Sequence, residues 1–218
     1  MKEQFPYYES FSRDKYSFIE LKNFEQNIST KLQKEIKRSE RRLNKDGSLI
    51  FVDNKNNKKL NKVMDFIINK KNEQYINSGG AKLDENSEKF YRELATRDIS
   101  HISAIFHNDK IIAAHLGLKT KTNYTYLLPV YDYKYRKYSP GWILLLKLLE
   151  TFKLNNLNRF DLTIGEEGYK SRLKPKQGEI FYFGIASNKL LKLLVKLNIV
   201  ILKIKIKLHK FKIKYLSK

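Results

Sequence analysis

The sequence contains no cysteine, and this absence excludes several kinds of chemistry. Without thiols the chain forms no disulfide, no thiolate metal site and no cysteine nucleophile. Histidine is also scarce: His101, His107, His115 and His209 are scattered, and no two of them have the spacing of a helical zinc motif. A zinc enzyme and a Ser-His-Asp enzyme are therefore disfavoured, and we predict no metal site.

The first residues lack the apolar segment of a signal peptide, since MKEQFPYYESFSRDKYSF mixes charged and aromatic side chains. We therefore expect a cytoplasmic protein. A length of 218 residues allows one large domain or two small ones, and 41% of hydrophobic residues argues against a disordered chain.

Acidic residues are few: 23 Asp and Glu stand against 44 Lys and Arg, which gives a net charge of +21. A potential this positive attracts polyanions such as nucleic acid, anionic lipid or a phosphorylated cofactor. A generally lysine-rich proteome is the alternative explanation. The sequence has no stacking-aromatic motif for RNA, so nucleic acid is the less favoured partner.

Hydrophobic periodicity divides residues 1–188 into the helices and strands of one α+β domain. Four helices are predicted. They run from Ile28 to Asp46, from Leu60 to about Asn77, from a cap at Asp84 or Ser87 through Leu94, and from Ser139 to Asn155. Strands are predicted at 48–52, 101–107, 110–119, 123–130, 159–164 and 179–186. The strands between 101 and 130 have hairpin spacing, which predicts an antiparallel meander within a mixed, mainly antiparallel sheet flanked by helices.

The tail, residues 189–218, is predicted to be a basic amphipathic helix. Its apolar residues step by four and three from Leu190 to Tyr215, with lysines opposite them. A strand is the alternative for the last half, where lysine alternates with apolar residues. Such a helix packs on the sheet, pairs with another chain or lies on an anionic membrane surface, which would make the protein peripheral to the inner face of the membrane. Its lysines are too frequent for it to span a bilayer.

A basic loop with a helix start follows the meander, at Tyr135–Trp142. Ser139 has the chemistry of an N-cap, Pro140 fits the first helical position, and Gly141 adds no side chain. The amides of Gly141 and Trp142 are then expected to point outward, at the positive end of the helix dipole. This predicts a phosphate or pyrophosphate site, with an ordinary helix cap as the alternative.

The chain from about Tyr16 to Ala186 resembles the GNAT-type acetyltransferase domain of cellulose- and exopolysaccharide-biosynthesis acetyltransferases, relatives of the Fem peptidyltransferases. The matching stretches are KLQKEIKRSERRL, AAHLGLK, YLLPVYDYKYRKYSPG and FDLTIGEEGYKSRL. In GNAT enzymes an Arg/Gln-x-x-Gly-x-Gly/Ala loop holds the coenzyme A pyrophosphate, and Arg136-x-x-Ser139-x-Gly141 is similar, with serine replacing the first glycine. The resemblance implies a GNAT-like fold, acetyl-CoA or another acyl-CoA as co-substrate, and these cofactor-binding residues: Arg136, Lys137, Tyr138, Ser139, Gly141 and Trp142.

A second stretch, Asp161–Arg172, combines a strand end with a loop that carries two carboxylates, a tyrosine and two cations. Acetyl transfer needs a base, a group that stabilises the acyl oxygen and an acid for the departing thiolate. Glu166 or Glu167 is the predicted base and Tyr169 the predicted acid, while Lys170 is predicted to neutralise the oxyanion or hold an anionic acceptor. The Tyr-Lys pair most resembles the family. Alternatively, the glutamates only form surface pairs with Lys170 and Arg172.

Four further residues are candidates for substrate binding: Asp161, Arg172, His115 and Tyr131. Asp161 lies in an apolar strand and needs a partner, so anchoring of the loop is favoured over catalysis. His115 is interpreted as a core or cleft-wall histidine, with catalysis as the alternative. Tyr131 is near the end of its strand, where it could line the acceptor cleft.

Together with the resemblance, these features predict an acyl-CoA-dependent N- or O-acetyltransferase acting on a sugar or on a cell-envelope or polysaccharide precursor. The alternatives are a Fem-like aminoacyl-tRNA-dependent transferase and a non-catalytic basic protein that binds polyanions or membranes. In the family this domain usually follows a degenerate GNAT-like half, and the acceptor cleft lies between the two. The resemblance begins within about twenty residues of Met1, so we expect a second copy or a partner chain to supply that half, or the half to be lacking.

Overall fold

The computed structural model describes residues 7–53, 60–165 and 168–216, and it contains two compact units. The first unit combines the residues up to Tyr16 with the chain from Gln177 onward, and the second is formed by Ser17–Lys176. Strand β1 (Tyr7–Glu20), which was not predicted, begins in the first unit and ends in the second.

Helices and strands alternate in the second unit as the periodicity predicts, and most predicted bounds are confirmed within two residues. The helices are α1 (Thr30–Asp46), α2 (Leu60–Asn77), α3 (Glu85–Ala95), α4 (Pro140–Leu154) and the single turn α5 (Gly168–Ser171). The strands are β2 (Leu49–Asp53), β3 (Ser100–His107), β4 (Lys110–Lys119), β5 (Asn123–Tyr131) and β6 (Arg159–Ile164). Two 3-10 helices, Leu21–Asn27 and Tyr133–Tyr138, were not predicted.

The sheet of the second unit has the strand order β2-β3-β4-β5-β6, followed by the end of β1. Strands β2 to β5 are antiparallel to their neighbours, whereas β5 and β6 are parallel. The β3–β4 turn is formed by Asn108 and Asp109, both left-handed with φ of 46° and 61°, as a two-residue hairpin requires. The predicted α+β fold with a mixed, mainly antiparallel sheet is confirmed.

Both faces of this sheet are covered, which explains why β4 is an almost continuous apolar strand. Neighbouring β4 residues Ala113 and Ala114 belong to different apolar clusters, one on each face. The first cluster contains Leu32, Ile36 and Leu43 of α1 with Leu144, Leu148 and Phe152 of α4. The second contains Val63, Met64 and Ile67 of α2 with Ala95 of α3. The central strands are therefore held rigidly from both sides.

The first unit contains the start of β1, strand β7 (Lys176–Ala186) and helix α6 (Lys189–Leu216). The helical prediction for the tail is therefore confirmed over the described residues. Gly184 allows α6 to approach β7, since a Cβ there would lie 2.2 Å from Val195 Cγ1. None of the helices in the described part combines the length and apolar character needed to cross a membrane. The predicted division into residues 1–188 and 189–218 stays a prediction.

Candidate active site

A cleft of about 460 Å³ opens where β5 and β6 separate. The two strands pair only at their start, from Asn123 opposite Arg159 to Thr125 opposite Asp161. Both strands are described in full and both continue, but no pair joins them further on. The cleft is lined by residues of α2, β5, β6, α5, the 3-10 helix before α4 and the first turns of α4: Lys71, Gln74, Tyr126, Leu127, Pro129, Val130, Tyr131, Arg136, Ser139, Pro140, Gly141, Trp142, Leu145, Thr163 and Tyr169.

Strand β5 carries an extra residue beside this cleft. Its register with β4 shifts, because Leu116 is opposite Leu128 whereas Leu118 is opposite Thr125. A bulge of this kind leaves one residue unpaired and turns the following side chains to the other face. Accordingly, Tyr126 belongs to the apolar cluster of α1 and α4, and Leu128 to that of α2. On its other edge, β5 has no pairing with β6 beyond Thr125, so this cleft-side edge offers backbone groups without a strand partner on β6.

The N-terminus of α4 forms one end of the cleft. Ser139 precedes the helix with φ 50° and ψ 50°, a left-handed conformation that favours glycine, and its side chain makes no cap hydrogen bond. Glycine, which the similar GNAT loop has at this position, adopts such a conformation freely, whereas serine adopts it at a cost of about 1–2 kcal/mol. Ser139 is at the N-cap position, as predicted. Its hydroxyl, however, does not accept the hydrogen bond from a helix amide that the prediction implied.

The amides of this helix start differ in their hydrogen bonding. The Trp142 amide donates to the Ser139 carbonyl at 2.9 Å, as does the Ile143 amide at 3.2 Å. The expectation that the Trp142 amide points freely outward is therefore wrong. Among the described residues the Gly141 amide has no hydrogen-bond acceptor, and Gly141 itself lines the cleft. Gly141 is the position at which an anion would meet a backbone donor.

The described lining of the cleft carries two cationic side chains, Lys71 and Arg136, and no carboxylate. The Arg136 guanidinium lies 4.8 Å from the centre of the Tyr133 ring, which holds it beside the helix start. Lys137 and Tyr138 lie outside the lining. The Tyr138 hydroxyl donates to Asp46 of α1 at 3.1 Å, so its predicted role in cofactor binding is not supported by its position.

Tyr169 is in the cleft wall, close to Trp142. Their ring centroids are 6.2 Å apart in an edge-to-face arrangement. Burial raises the pKa of the neighbouring Tyr126 well above its ordinary value, and Tyr169 raises it further. Tyr126 therefore remains protonated and able to donate a hydrogen bond at physiological pH. The cleft thus joins the predicted phosphate loop and the predicted acid in one space.

Lys170, next to Tyr169 in the chain, lies outside the cleft lining. It is only 4% exposed. Its Nζ donates to the carbonyl oxygens of Thr163, Ile164 and Gly165 at 3.4, 3.0 and 3.3 Å. These three contacts support a role for Lys170 in anchoring the backbone where β6 ends, while its predicted action on an oxyanion or an acceptor stays a prediction. Lys170 anchors the loop after β6.

The end of β6 has an unusual backbone conformation at Thr163, with φ 64°. Left-handed backbone is a genuine outlier for a β-branched residue, and it persists only where the surroundings hold it. Asp161 Oδ1 accepts a hydrogen bond from the Thr163 amide at 2.7 Å, while Lys170 binds the Thr163 carbonyl. Burial raises the pKa of Asp161, opposed by that amide and by Arg159 and Lys170. Asp161 therefore has the anchoring contact that the sequence favours.

The remaining predicted residues are distributed unevenly around the cleft. Tyr131 lines it. Arg172 lies outside the lining, where it pairs with Glu35 at 2.9 Å and covers the Trp142 ring at 5.3 Å. Both partners of this ion pair are about half exposed, so it contributes little to stability. The predicted bases Glu166 and Glu167 lie outside the described residues.

His115 is completely buried in the core and lies outside the cleft lining. Its Nδ1 is 3.1 Å from the Tyr124 hydroxyl, and its ring stacks on Tyr126 with centroids 4.3 Å apart. Gly117 makes room for this arrangement, since a Cβ there would lie 2.3 Å from the Tyr124 hydroxyl. His115 is therefore a core histidine, as interpreted from the sequence, and its predicted role in substrate binding is not supported by its position.

The stability of the protein should depend on pH through His115. Burial lowers its pKa well below the ordinary value of 6.5, with a smaller contribution from His101. Because the unfolded chain binds this proton below about pH 6.5 and the folded chain does not, stability is lost as the pH falls through that value. Between about pH 7.5 and 5.5, urea unfolding should show the wild type losing about 1.4 kcal/mol more than His115→Gln. Identical pH dependence of the two proteins would contradict this origin.

A protein-family model described as "Acetyltransferase (GNAT) domain" matches residues 30–171. The chain belongs to the GNAT acetyltransferase family. The match spans α1 to α5 and therefore includes both the helix start at Gly141 and the Tyr169 turn. No curated protein matches the chain in sequence.

Three solved structures show the same fold at low sequence identity. FemX has a TM-score of 0.61 and 9% identity, over 85% of this chain and 65% of that one. The C-terminal domain of a lysylphosphatidylglycerol synthetase from Agrobacterium fabrum has a TM-score of 0.56 and 15% identity, over 90% and 66%. L-PGS from Bacillus licheniformis has a TM-score of 0.56 and 13% identity, over 88% of this chain and 67% of that one. The chain thus spans about two thirds of their lengths.

Several cleft residues of this GNAT domain were missed by sequence reasoning. Lys71 and Gln74 enter from α2, where their i, i+3 spacing places them on one helical face. Nothing in the sequence links that face to β5, so the contact depends on tertiary packing. Thr163 was missed because its backbone conformation has no sequence signal. In the described ranges, no group of three or more His, Asp or Glu side chains could hold a metal ion.

Proposed function

We propose that this GNAT domain transfers an acyl group from acyl-CoA to an amine or hydroxyl of a sugar or cell-envelope polysaccharide precursor. The proposal includes membership of the cellulose and exopolysaccharide branch of acetyltransferases, which the sequence stretches around the two loops resemble. The observation that carries it is that a single cleft is lined by Arg136, Tyr169 and Gly141, whose amide has no acceptor among the residues that the structure describes.

The residues of the cleft fit a phosphorylated, amide-containing ligand. The helix dipole, the Gly141 amide and the Arg136 guanidinium suit a diphosphate. The edge of β5 beyond Thr125 has no partner on β6, so it can bind an extended chain that carries amides, as an added strand would be bound. Apolar side chains, including Leu127, Pro129 and Leu145, suit the methylene parts of such a chain.

When bound, acyl-CoA supplies an acyl group that is activated as a thioester. The Tyr169 hydroxyl is the group in the cleft wall that can donate a proton to the departing sulfur. The Tyr126 hydroxyl, kept protonated by burial, and the backbone at the β5 bulge can donate hydrogen bonds to the acyl oxygen. The proton of the acceptor amine or hydroxyl passes to Glu166 or Glu167, the predicted bases.

A Fem-like transferase that uses aminoacyl-tRNA is the second candidate. Two observations favour it: the fold is shared with FemX over 85% of the chain, and the net charge is +21. A tRNA donor would require a surface that releases counterions on binding, so its affinity would fall steeply with salt. Coenzyme A binding through a few defined contacts would be much less sensitive to salt.

Calorimetry with acetyl-CoA tests the first candidate, with ATP as a matched polyanion. We expect saturable binding of acetyl-CoA and at least about tenfold weaker binding of ATP, because only the former contains the amide-bearing arm. Absence of acetyl-CoA binding at roughly millimolar ligand would overturn the cofactor assignment. In that case, a gel-shift titration with aminoacyl-tRNA at two salt concentrations would test the second candidate.

A further inference from the structure

Helix α6 exposes a long apolar strip. We define the strip by eight residues that are between 43 and 71% exposed: Leu190, Leu193, Leu194, Leu197, Val200, Ile201, Ile204 and Leu208. At 100° per residue these positions lie on one side of the helix. The other side carries Val195, which contacts Gly184 of β7, and the buried Ile199. Packing on β7 thus leaves the strip uncovered by its own unit.

Lysines border this strip on both sides. Lys189, Lys196 and Lys203 repeat every seven residues along one border, and Lys205 lies on the other. The sequence of α6 contains no acidic residue. Long lysine side chains can lay their methylene stems beside apolar surface and extend their ammonium groups outward. The strip and its borders therefore form an apolar face with a cationic rim.

Charge decides which partner fits this face. Pairing of two α6 helices through their strips would bring the lysine borders of both chains together, and like charges at such borders oppose association. A lipid surface with anionic head groups supplies the opposite charge and accepts the apolar side chains below it. The helix is 28 residues long, about 42 Å, and is suited to lie in the plane of such a surface.

We propose that the strip docks α6 onto an anionic membrane surface, with its apolar side chains among the acyl chains and its lysines at the head groups. The relevant partner is a lipid bilayer of net negative charge. This surface is separate from the residues of the acyl-transfer cleft, so the proposal does not depend on the proposed function.

Vesicle flotation of the full chain tests the proposal. With vesicles of phosphatidylcholine and phosphatidylglycerol in about a 2:1 ratio the wild type should float, and with phosphatidylcholine alone much less. Leu197→Asp combined with Ile201→Asp should weaken binding by roughly 10- to 100-fold, because it removes apolar contact from the middle of the strip. Lys189→Gln combined with Lys205→Gln, one from each border, should weaken binding to anionic vesicles by roughly 30-fold.

Leu154→Asp is the matched control, because Leu154 is 82% exposed and lies at the end of α4. It should float like the wild type, and circular dichroism should show equal helix content for all variants. Failure of the wild type to float would overturn the proposal. So would undiminished flotation of the Leu197 and Ile201 variant, since the middle of the strip would then make no contact with the bilayer. A wild-type dimer that this variant dissociates, without flotation, would instead identify an interface between copies.

Discussion

Gly141→Asp is expected to weaken acetyl-CoA binding by at least about 100-fold. The carboxylate would stand at the first amides of α4, where the diphosphate is proposed to bind, and two negative charges about 4 Å apart repel by roughly 4 kcal/mol near a protein surface. The same substitution should not harm the fold. An acidic residue in the first helical turn interacts favourably with the dipole, so the melting temperature should be unchanged or slightly raised.

Two further variants at this position separate size from charge. A Cβ at Gly141 would lie 3.5 Å from Tyr131 Cδ1, an ordinary contact, so Gly141→Ala should bind acetyl-CoA within about threefold of the wild type. Gly141→Asn has the size of Asp without its charge and should fall between the two. Calorimetry measures all three. Equal affinities for Asp and Asn would show that charge at this amide is irrelevant, which would contradict the diphosphate site.

Local chemistry made most of the elements predictable from the sequence. Asp84 caps α3, since its Oδ1 accepts from the Ser87 amide at 2.7 Å. Hydrogen bonding lowers the pKa of Asp84, as an N-cap carboxylate requires. The turn at Asn108 and Asp109 and the proline at the first position of α4 were equally local signals. Strand β1 was missed because its aromatic and charged residues show no clear period.

The candidate site was harder to predict, because neighbouring residues in tight helical turns face different directions. Successive residues are rotated by about 100° in an α-helix and about 120° in a 3-10 helix. In the turn α5, Tyr169 therefore reaches the cleft while Lys170 reaches the carbonyls behind it. In the 3-10 helix before α4, Arg136 lines the cleft and Tyr138 contacts α1. Sequence motifs pointed to both of these segments, but not to which of their side chains share the cleft.

Contacts at the end of β6 fix the position of the following turn, α5, which carries Tyr169. Thr163 lines the cleft in a left-handed conformation, with Asp161 binding its amide and Lys170 binding its carbonyl. Contacts to the two peptide groups that flank the Thr163 Cα restrict its backbone more than either contact alone. The position of Tyr169 thus depends on a buried cation that contributes no atom to the described cleft lining. Replacement of Lys170 should therefore lower the stability of the second unit more than it lowers the rate of acyl transfer.

Lys170→Met should destabilise the second unit by about 3 kcal/mol, which lowers Tm by roughly 6–12 °C, because three carbonyl groups lose a buried donor. Lys121→Met is the matched control, since Lys121 is exposed in the β4–β5 loop and its replacement should shift Tm by less than about 2 °C. Differential scanning calorimetry measures both. A lysine that acted directly on substrate would give the opposite pattern, with normal Tm and strongly reduced transfer. An unchanged Tm in Lys170→Met would therefore contradict the anchoring role and restore the catalytic one.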